Sequence, residues 1–258
     1  MKGYKEAAQD AATKAGQILK QNLGKAHRIE FKGEVDIVTD MDRQAERLII
    51  DTLKEAFPSH GILTEEMDEV ESSSNYRWVI DPLDGTTNYA HGFPIFCVSI
   101  ALEERGDVVL GVIYNPMLDE LFIAEKGKGA TLNDNRIQVS ETSELTRSLL
   151  ATGFPYDIRT SPDNNLENFA NFAVRAQAIR RAGSAALDLA YVACGRFDGF
   201  WELKLKPWDV AAGGLMIKEA GGLVTDFIGD SISSSGDVLA TNGLIHKAMK
   251  DLMALHVI

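Results

Sequence analysis

The segment Trp78-Val79-Ile80-Asp81-Pro82-Leu83-Asp84-Gly85-Thr86-Thr87-Asn88-Tyr89 limits what this chain can become more than any other. An apolar run of strand type leads straight into Asp81, and Pro82, with no N–H to donate, is expected to end the ladder there. Two carboxylates three positions apart on a tight turn can converge on one point. Gly85 beside Thr86 and Thr87 offers bare backbone N–H groups at the opening of a short helix, an arrangement suited to phosphate. A lone Asp-x-x-Asp is usually a capped turn. The ordered combination of apolar strand, proline, second acid, glycine and hydroxyl instead predicts cation ligands beside an anion cradle.

The rest of the chain supplies a frame for that segment. Tyr4, Ala7, Ala8, Ala11, Ala15, Ile18 and Leu19 recur at helical spacing and predict an amphipathic helix ending near Gly24. Residues 28–38 read as a hairpin or loop turning at Gly33. A second helix begins at Thr39 or Asp40 and ends before Pro58. Residues 72–75 read as a surface loop. Short apolar segments at 97–102, 108–114 and 120–125, separated by turns, predict antiparallel strands. From about residue 145 strands and helices alternate: strands at 148–152, 197–202, 223–226 and 238–241, helices at 164–178, 184–194 and 209–220, and a final helix. An α+β half (residues 1–145) followed by an α/β half (146–258) predicts sheets layered between helices, in one unit with no separating linker.

Charge narrows the function. Asp and Glu number 38 against 26 Lys and Arg, a formal net charge of -12. That argues against nucleic acid or an anionic membrane as a partner, and against a phosphorylated substrate unless cations intervene. No apolar run reaches the roughly 18 residues of a membrane span, and the amino terminus has no signal-peptide pattern, so a cytoplasmic location is expected. Cys97 and Cys194 sit in apolar surroundings outside any Cys-x-x-Cys or Cys/His cluster and are expected to be buried, reduced side chains. Three further acidic features stand where they could join Asp81 and Asp84. Thr64-Glu65-Glu66 follows the apolar run 61–63 and sets at least one of its two glutamates at a strand end, Asp42 opens the second helix, and Asp209 follows Pro207-Trp208 at the start of a small-residue helix. Each taken alone is equally a solvated or helix-capping acid.

Residues 78–91 resemble the first signature of the inositol monophosphatase family, the lithium-sensitive, magnesium-dependent phosphatases, and residues 208–222 (WDVAAGGLMIKEAGG) are similar to its second. The segments 36–42 and 64–66 fall at two further conserved spots in the right order. Arg180-Arg181-Ala182-Gly183-Ser184-Ala185-Ala186-Leu187-Asp188 and Trp201-Glu202-Leu203 resemble the bacterial members. The resemblance implies the layered α-β-α-β-α sandwich of the inositol monophosphatase and fructose-1,6-bisphosphatase fold. It implies Mg²⁺, two or three ions, held by Glu65, Asp81, Asp84 and Asp209 with the carbonyl of Leu83. Asp42, Glu65 and Thr86 would be the catalytic set, Asp42 and Thr86 as the pair that orients the attacking water. Glu65, Leu83, Asp84, Gly85, Thr86 and Asp209 would meet the phosphate end of the substrate. Gly183, Ser184, Ala185 and Glu202 would face its alcohol, with Arg180 nearby.

The implied reaction is hydrolysis of the phosphate monoester of a small polyol, foremost inositol 1-phosphate, by a water that the metal activates. Sister substrates on the same scaffold are fructose 1,6-bisphosphate, NADP or a nucleotide phosphate, and histidinol phosphate. Charge arithmetic agrees: the five carboxylates sum to -5, so two magnesium ions leave the site at about -1 and three bring it to about +1. An Asp nucleophile fits poorly, because the spacing is Asp-x-x-Asp. The resemblance also implies a homodimer, for which Leu149-Leu150 and residues 197–201 offer apolar segments. A role in contacting transcription machinery, through Arg180-Arg181 and Lys204/Lys206, is the competing class.

Overall fold

Three apolar clusters, one between two sheets and one on the outer face of each, set the architecture. The computed structural model describes residues 2–25, 28–31, 33, 36–67, 69–70, 74–229 and 236–253. Part of the expected hairpin at 28–38, Ser72 and Ser73 of the expected loop, and the end of the expected final helix lie outside them. In chain order the elements are α1 (Lys2–Asn22), β1 (Ile29–Phe31), β2 (Ile37–Thr39), α2 (Asp40–Ala56), β3 (Gly61–Thr64), β4 (Tyr76–Asp84), α3 (Thr86–Ala90), β5 (Cys97–Glu104), β6 (Asp107–Asn115), β7 (Glu120–Glu125), β8 (Gly129–Leu132) and β9 (Asn135–Arg136). The second half continues with β10 (Leu149–Thr152), α4 (Leu166–Ala173), β11 (Ala178–Arg180), α5 (Ala185–Ala193), β12 (Gly199–Glu202), α6 (Pro207–Glu219), β13 (Leu223–Thr225), β14 (Val238–Thr241) and α7 (His246–Met253).

The first half makes a seven-stranded sheet in the order β3-β4-β5-β6-β7-β8-β9, antiparallel except for β3 against β4. Period-2 alternation sends its side chains to opposite faces. Trp78, Ile80, Ile100 and Val112 meet Ala8, Ala11, Ala15 and Leu19 of α1 and Ala45, Ile49 and Leu53 of α2. Val79, Ala101, Ile113 and Phe122 point the other way, onto α5 and α6. Those two helices also bury against Phe200, Val224 and Ala240 of the second sheet, ordered β11-β10-β12-β14-β13. A helix covered on both sides must be apolar nearly all round, and α5 is buried from Ala185 through Ala193. The outer face of the second sheet, with Leu150, Trp201 and Leu239, packs against Phe172 of α4 and Met249 of α7. The layers are therefore helix, sheet, helix, sheet, helix.

Four readings need correction. Pro82 does not end its strand: β4 continues to Asp84 because the proline falls inside a register shift between Asp81 and Asp84, where no ladder donor is required, and pairing resumes at Asp84 with Cys97. The helix expected over 164–178 stops at Ala173, since the amides of Gln177 and Ala178 turn to the carbonyl of Ser148 and β11 pairs parallel with β10. Leu150, Phe200 and Trp201 are buried in the core and cannot supply a surface between subunits. Cys97 is buried but Cys194 only half so, and both are free thiols. Among the described residues no helix is long and apolar enough to cross a membrane.

Candidate active site

The cleft sits where the carboxyl end of β4 meets the amino ends of α5 and α6. Its volume is about 490 Å³. It is lined by Glu65, Asp81, Leu83, Asp84, Gly85, Thr86, Gly183, Ser184, Ala185, Glu202 and Asp209, so residues from both halves of the chain face one space. The register shift in β4 explains part of this. An unbroken strand would alternate its side chains, whereas the shift lets Asp81 and Asp84 both face the cleft.

Each acid is held by donors that its own neighbourhood supplies. Asp81 Oδ1 accepts from the amide of Leu83 at 3.0 Å. Asp84 Oδ2 accepts from Ser184 Oγ at 2.7 Å and from the amide of Ala186 at 2.7 Å, so the start of α5 locks it in place. Asp209 is the third residue of α6, and its Oδ2 accepts from the amide of Lys206 at 2.7 Å, a helix-start bond. Glu65 follows the last residue of β3. Asp42 is fully buried at the start of α2, where its Oδ2 accepts from the amide of Thr39 at 2.8 Å and from the Thr39 hydroxyl at 2.6 Å. Asp42 Oδ1 lies 2.9 Å from Thr86 Oγ1, whose single proton has a second acceptor in the Leu83 carbonyl at 3.0 Å. Asp42 thus stands behind the cleft and reaches it through Thr86.

Gly85 makes the sharp exit from β4 with φ +102°, a left-handed conformation that a side chain would strain. A Cβ there would also lie 2.9 Å from the carbonyl oxygen of Ile95. Beyond it, Asn88 of α3 donates to the carbonyls of Ile95 at 2.7 Å and Ala182 at 2.8 Å, tying the turn to the second half of the chain.

Electrostatics mark the cleft as unfinished without positive charge. Burial, and then repulsion from Glu65, Asp84 and Asp209, hold the Asp81 carboxyl well above its usual range. Asp209 is pushed up in the same way, by burial and then by Asp84. Burial raises Asp84 too, although the donors from Ser184 and Ala186 oppose it. Burial lifts Asp42 to about 6 against the pull of Thr39 and Thr86, and lifts Glu202 to about 8. A multivalent cation is the usual answer to buried carboxylates that repel one another, and a purely oxygen donor set suits a hard cation such as Mg²⁺. Among the described residues no three acidic, histidine or cysteine side chains stand together so that they could hold a metal ion as placed. The donors line an open cleft instead.

Arg180, expected near the substrate, is exposed, and its Nη1 donates to the carbonyl of Ile179; the adjacent Arg181 lines the cleft in its place. The other residues expected there do line the cleft or, as with Asp42, reach it through one hydrogen bond. Sequence reasoning missed three that matter. Glu46, buried on α2, accepts from the Thr64 hydroxyl and the Glu66 amide, and so grips the chain on both sides of Glu65. Its spacing of four from Asp42 on an amphipathic helix was the available signal. Gly153 lies against the carboxylate of Glu202 with no room for a side chain. Asp188 lines the cleft from the middle of an otherwise apolar helix, and that isolation was its signal.

A profile of the Inositol monophosphatase family matches residues 2–257. The chain is 46% identical over 252 residues to the inositol-1-monophosphatase of Synechocystis, covering 96% of this chain and 88% of that one. It is 44% identical over 243 residues to the Nus factor SuhB of Salmonella typhimurium, covering 93% and 91%. The crystal structure of the extragenic suppressor protein suhB from Bartonella henselae superposes with a TM-score of 0.94 at 44% identity, over 99% of this chain and 100% of that one. With a match across nearly its whole length and the five layers that such a structure shares, the chain belongs to the inositol monophosphatase family.

Proposed function

We propose that this protein hydrolyses the phosphate monoester of a small polyol in a Mg²⁺-dependent reaction, with inositol 1-phosphate as the principal substrate. The observation that carries the reading is the meeting of Glu65, Asp81, Asp84 and Asp209, drawn from both halves of the chain, in one cleft that Glu202 also lines. Magnesium, when bound there, supplies charge neutralisation at the phosphoryl group and a lowered pKa for water.

The chain's own residues supply the rest. Glu65, Asp81, Asp84, Asp209 and the Leu83 carbonyl are the oxygen donors for the cation. Thr86, fixed by Asp42, orients the attacking water through its hydroxyl oxygen. The amides at Gly85 and Thr86 turn toward the phosphate. Glu202, which offers acceptors, receives hydroxyl protons from the alcohol, and Gly183, Ser184 and Ala185 shape the wall around it. A panel measuring phosphate release from inositol 1-phosphate, fructose 1,6-bisphosphate, 3′-phosphoadenosine 5′-phosphate, NADP and histidinol phosphate tests the assignment. A preference for any ester other than inositol 1-phosphate overturns the substrate, and turnover in excess chelator overturns the metal.

The family resemblance also supports a cytoplasmic homodimer, which light scattering at micromolar concentration tests. The name of the Salmonella relative favours a second role, contact with transcription machinery. One element of the basic patch is weaker than its sequence suggests, since Lys204 Nζ is paired with Asp157 at 2.8 Å. Retention of a partner by an Asp84→Asn protein in a pull-down would separate this role from catalysis.

A further inference from the structure

Asp188 is a buried acid that the scheme above does not use. It sits on α5 with 2% of its surface exposed, and its Oδ1 has no hydrogen-bond partner among the described residues. The polar groups at the start of the same helix are committed elsewhere: Ser184 Oγ and the Ala186 amide both donate to Asp84. The charges that act on Asp188 are Glu202 and Asp84, which repel it, and Arg181, which attracts it. It lines the cleft together with Glu202 and Arg181.

Buried carboxyl oxygens are nearly always paired, because an unpaired one loses water without recompense. The neighbours of Asp188 along the helix are Leu187 and Leu189, both fully buried in the apolar cluster between the two sheets. Packing alone would be met at this position by an apolar side chain of similar size. A carboxyl oxygen that has no partner among the described residues, on a side chain that lines a cleft, is complementary to something that enters the cleft with a hydrogen to donate. The phosphate end of the substrate has none to give and belongs with the cation donors Glu65, Asp81, Asp84 and Asp209. A polyol has several.

We propose that Asp188 is a specificity-determining residue that takes up a hydroxyl of the substrate's alcohol beside the one held by Glu202. Two carboxyl groups reaching the cleft from different elements, α5 and β12, read two hydroxyls at once. An alcohol with a single oxygen satisfies neither. The inference rests on the polyol phosphatase reading and adds to it a requirement for more than one free hydroxyl.

The test compares Asp188→Leu and Asp188→Asn, both of which keep the four branched heavy atoms of the aspartate side chain, with the wild-type protein. KM is measured in Mg²⁺ for inositol 1-phosphate and for an aryl phosphate, alongside the melting temperature. The Leu variant is expected to raise the ratio of the two KM values at least tenfold, with a melting temperature held or increased, since no intramolecular bond is lost. The Asn variant, which keeps one acceptor, is expected to shift the ratio less. A ratio within twofold of wild type in the Leu variant overturns the proposal. Equal losses on both esters in step with a falling melting temperature, or failure of both variants to fold, make Asp188 structural and overturn it too. Failure of the wild-type protein to hydrolyse inositol 1-phosphate counts against the proposed function instead. The ratio is then taken with the best hydroxyl-bearing ester of the panel, and a wild-type enzyme that prefers the aryl ester to all of them overturns both.

Discussion

Replacing Gly153 with alanine moves Glu202 without touching its chemistry. An added Cβ at 153 would lie 2.0 Å from Glu202 Oε1 and 2.2 Å from its Oε2 and Cδ, whereas side-chain carbons essentially never come closer than 3.0 Å. The carboxylate must therefore retreat by about 1 Å or more. It can do so, because it is the far end of a flexible side chain, and Gly153 does not occupy the left-handed region that only glycine tolerates well. The folding cost is that of an altered rotamer, on the order of 1 kcal/mol, or a few degrees in melting temperature. The binding cost is larger. Above about pH 8, where the Glu202 carboxyl is ionised, a hydrogen bond to it is worth about 1.5–3 kcal/mol, and a displacement of ~1 Å forfeits most of it. KM for inositol 1-phosphate should rise roughly 10- to 100-fold, while KM for an aryl phosphate, which has no hydroxyl to place, moves by no more than about twofold. Steady-state kinetics on both esters read the difference, with Glu202→Gln as the benchmark. An unmoved inositol 1-phosphate KM would refute the contact. Matching losses on both substrates would show that Glu202 supports the cleft generally.

Asp84→Asn should lower kcat by at least about 100-fold and abolish the Mg²⁺-induced rise in melting temperature while circular dichroism stays native; an undiminished Mg²⁺ response would exclude Asp84 as a cation ligand. Thr86→Ala should lower kcat by about 10- to 100-fold with little change in KM, since it removes alignment of the nucleophile and not general affinity; a rise in KM alone would leave Thr86 a phosphate contact. In chelator, stability to urea should fall as pH rises from about 4 to about 8. Asp42 and Glu202 have folded values of about 6 and about 8 against ordinary values of 3.8 and 4.5, so the native state keeps protons that the unfolded chain releases. Stability from these groups is fullest below the ordinary values and is lost through the folded ones. Glu202→Gln should flatten the upper part of that fall, and a curve identical to wild type would refute the assignment.

The parts of the site legible in the sequence were those whose chemistry is local. Asp81, Asp84 and Gly85 announce themselves through a strand, a proline and a glycine in order, and Thr39 announces α2 as a capping threonine. Residues defined by what approaches them from afar were not legible. Gly153 matters because of Glu202, some fifty positions on, and Glu46 because of Thr64 and Glu66. Pro82 misled for a related reason: its missing N–H ends a regular ladder, and only the register shift against β5 makes it harmless. Arg180 and Arg181 are alike in sequence and differ in which way the chain presents them. The helix that stops at Ala173 was overrun because its continuation, with an alanine at 178, carries no breaker, and pairing with β10 is a tertiary choice.

Asp84 and the groups that restrain it are separated by about a hundred residues of chain. At typical synthesis rates of about 5–20 residues per second, Ser184 and Ala186 are added roughly 5–20 s after Asp84. Through that interval the growing chain can pair its seven strands, yet the face bearing Val79, Ala101, Ile113 and Phe122 has no α5 or α6 to cover it. A ribosome-bound intermediate of this kind carries a broad apolar surface next to unneutralised acids. Products truncated before residue 186 should therefore be clients of cellular holdases and prone to aggregate, and a codon-level pause between the two halves would lengthen the exposure.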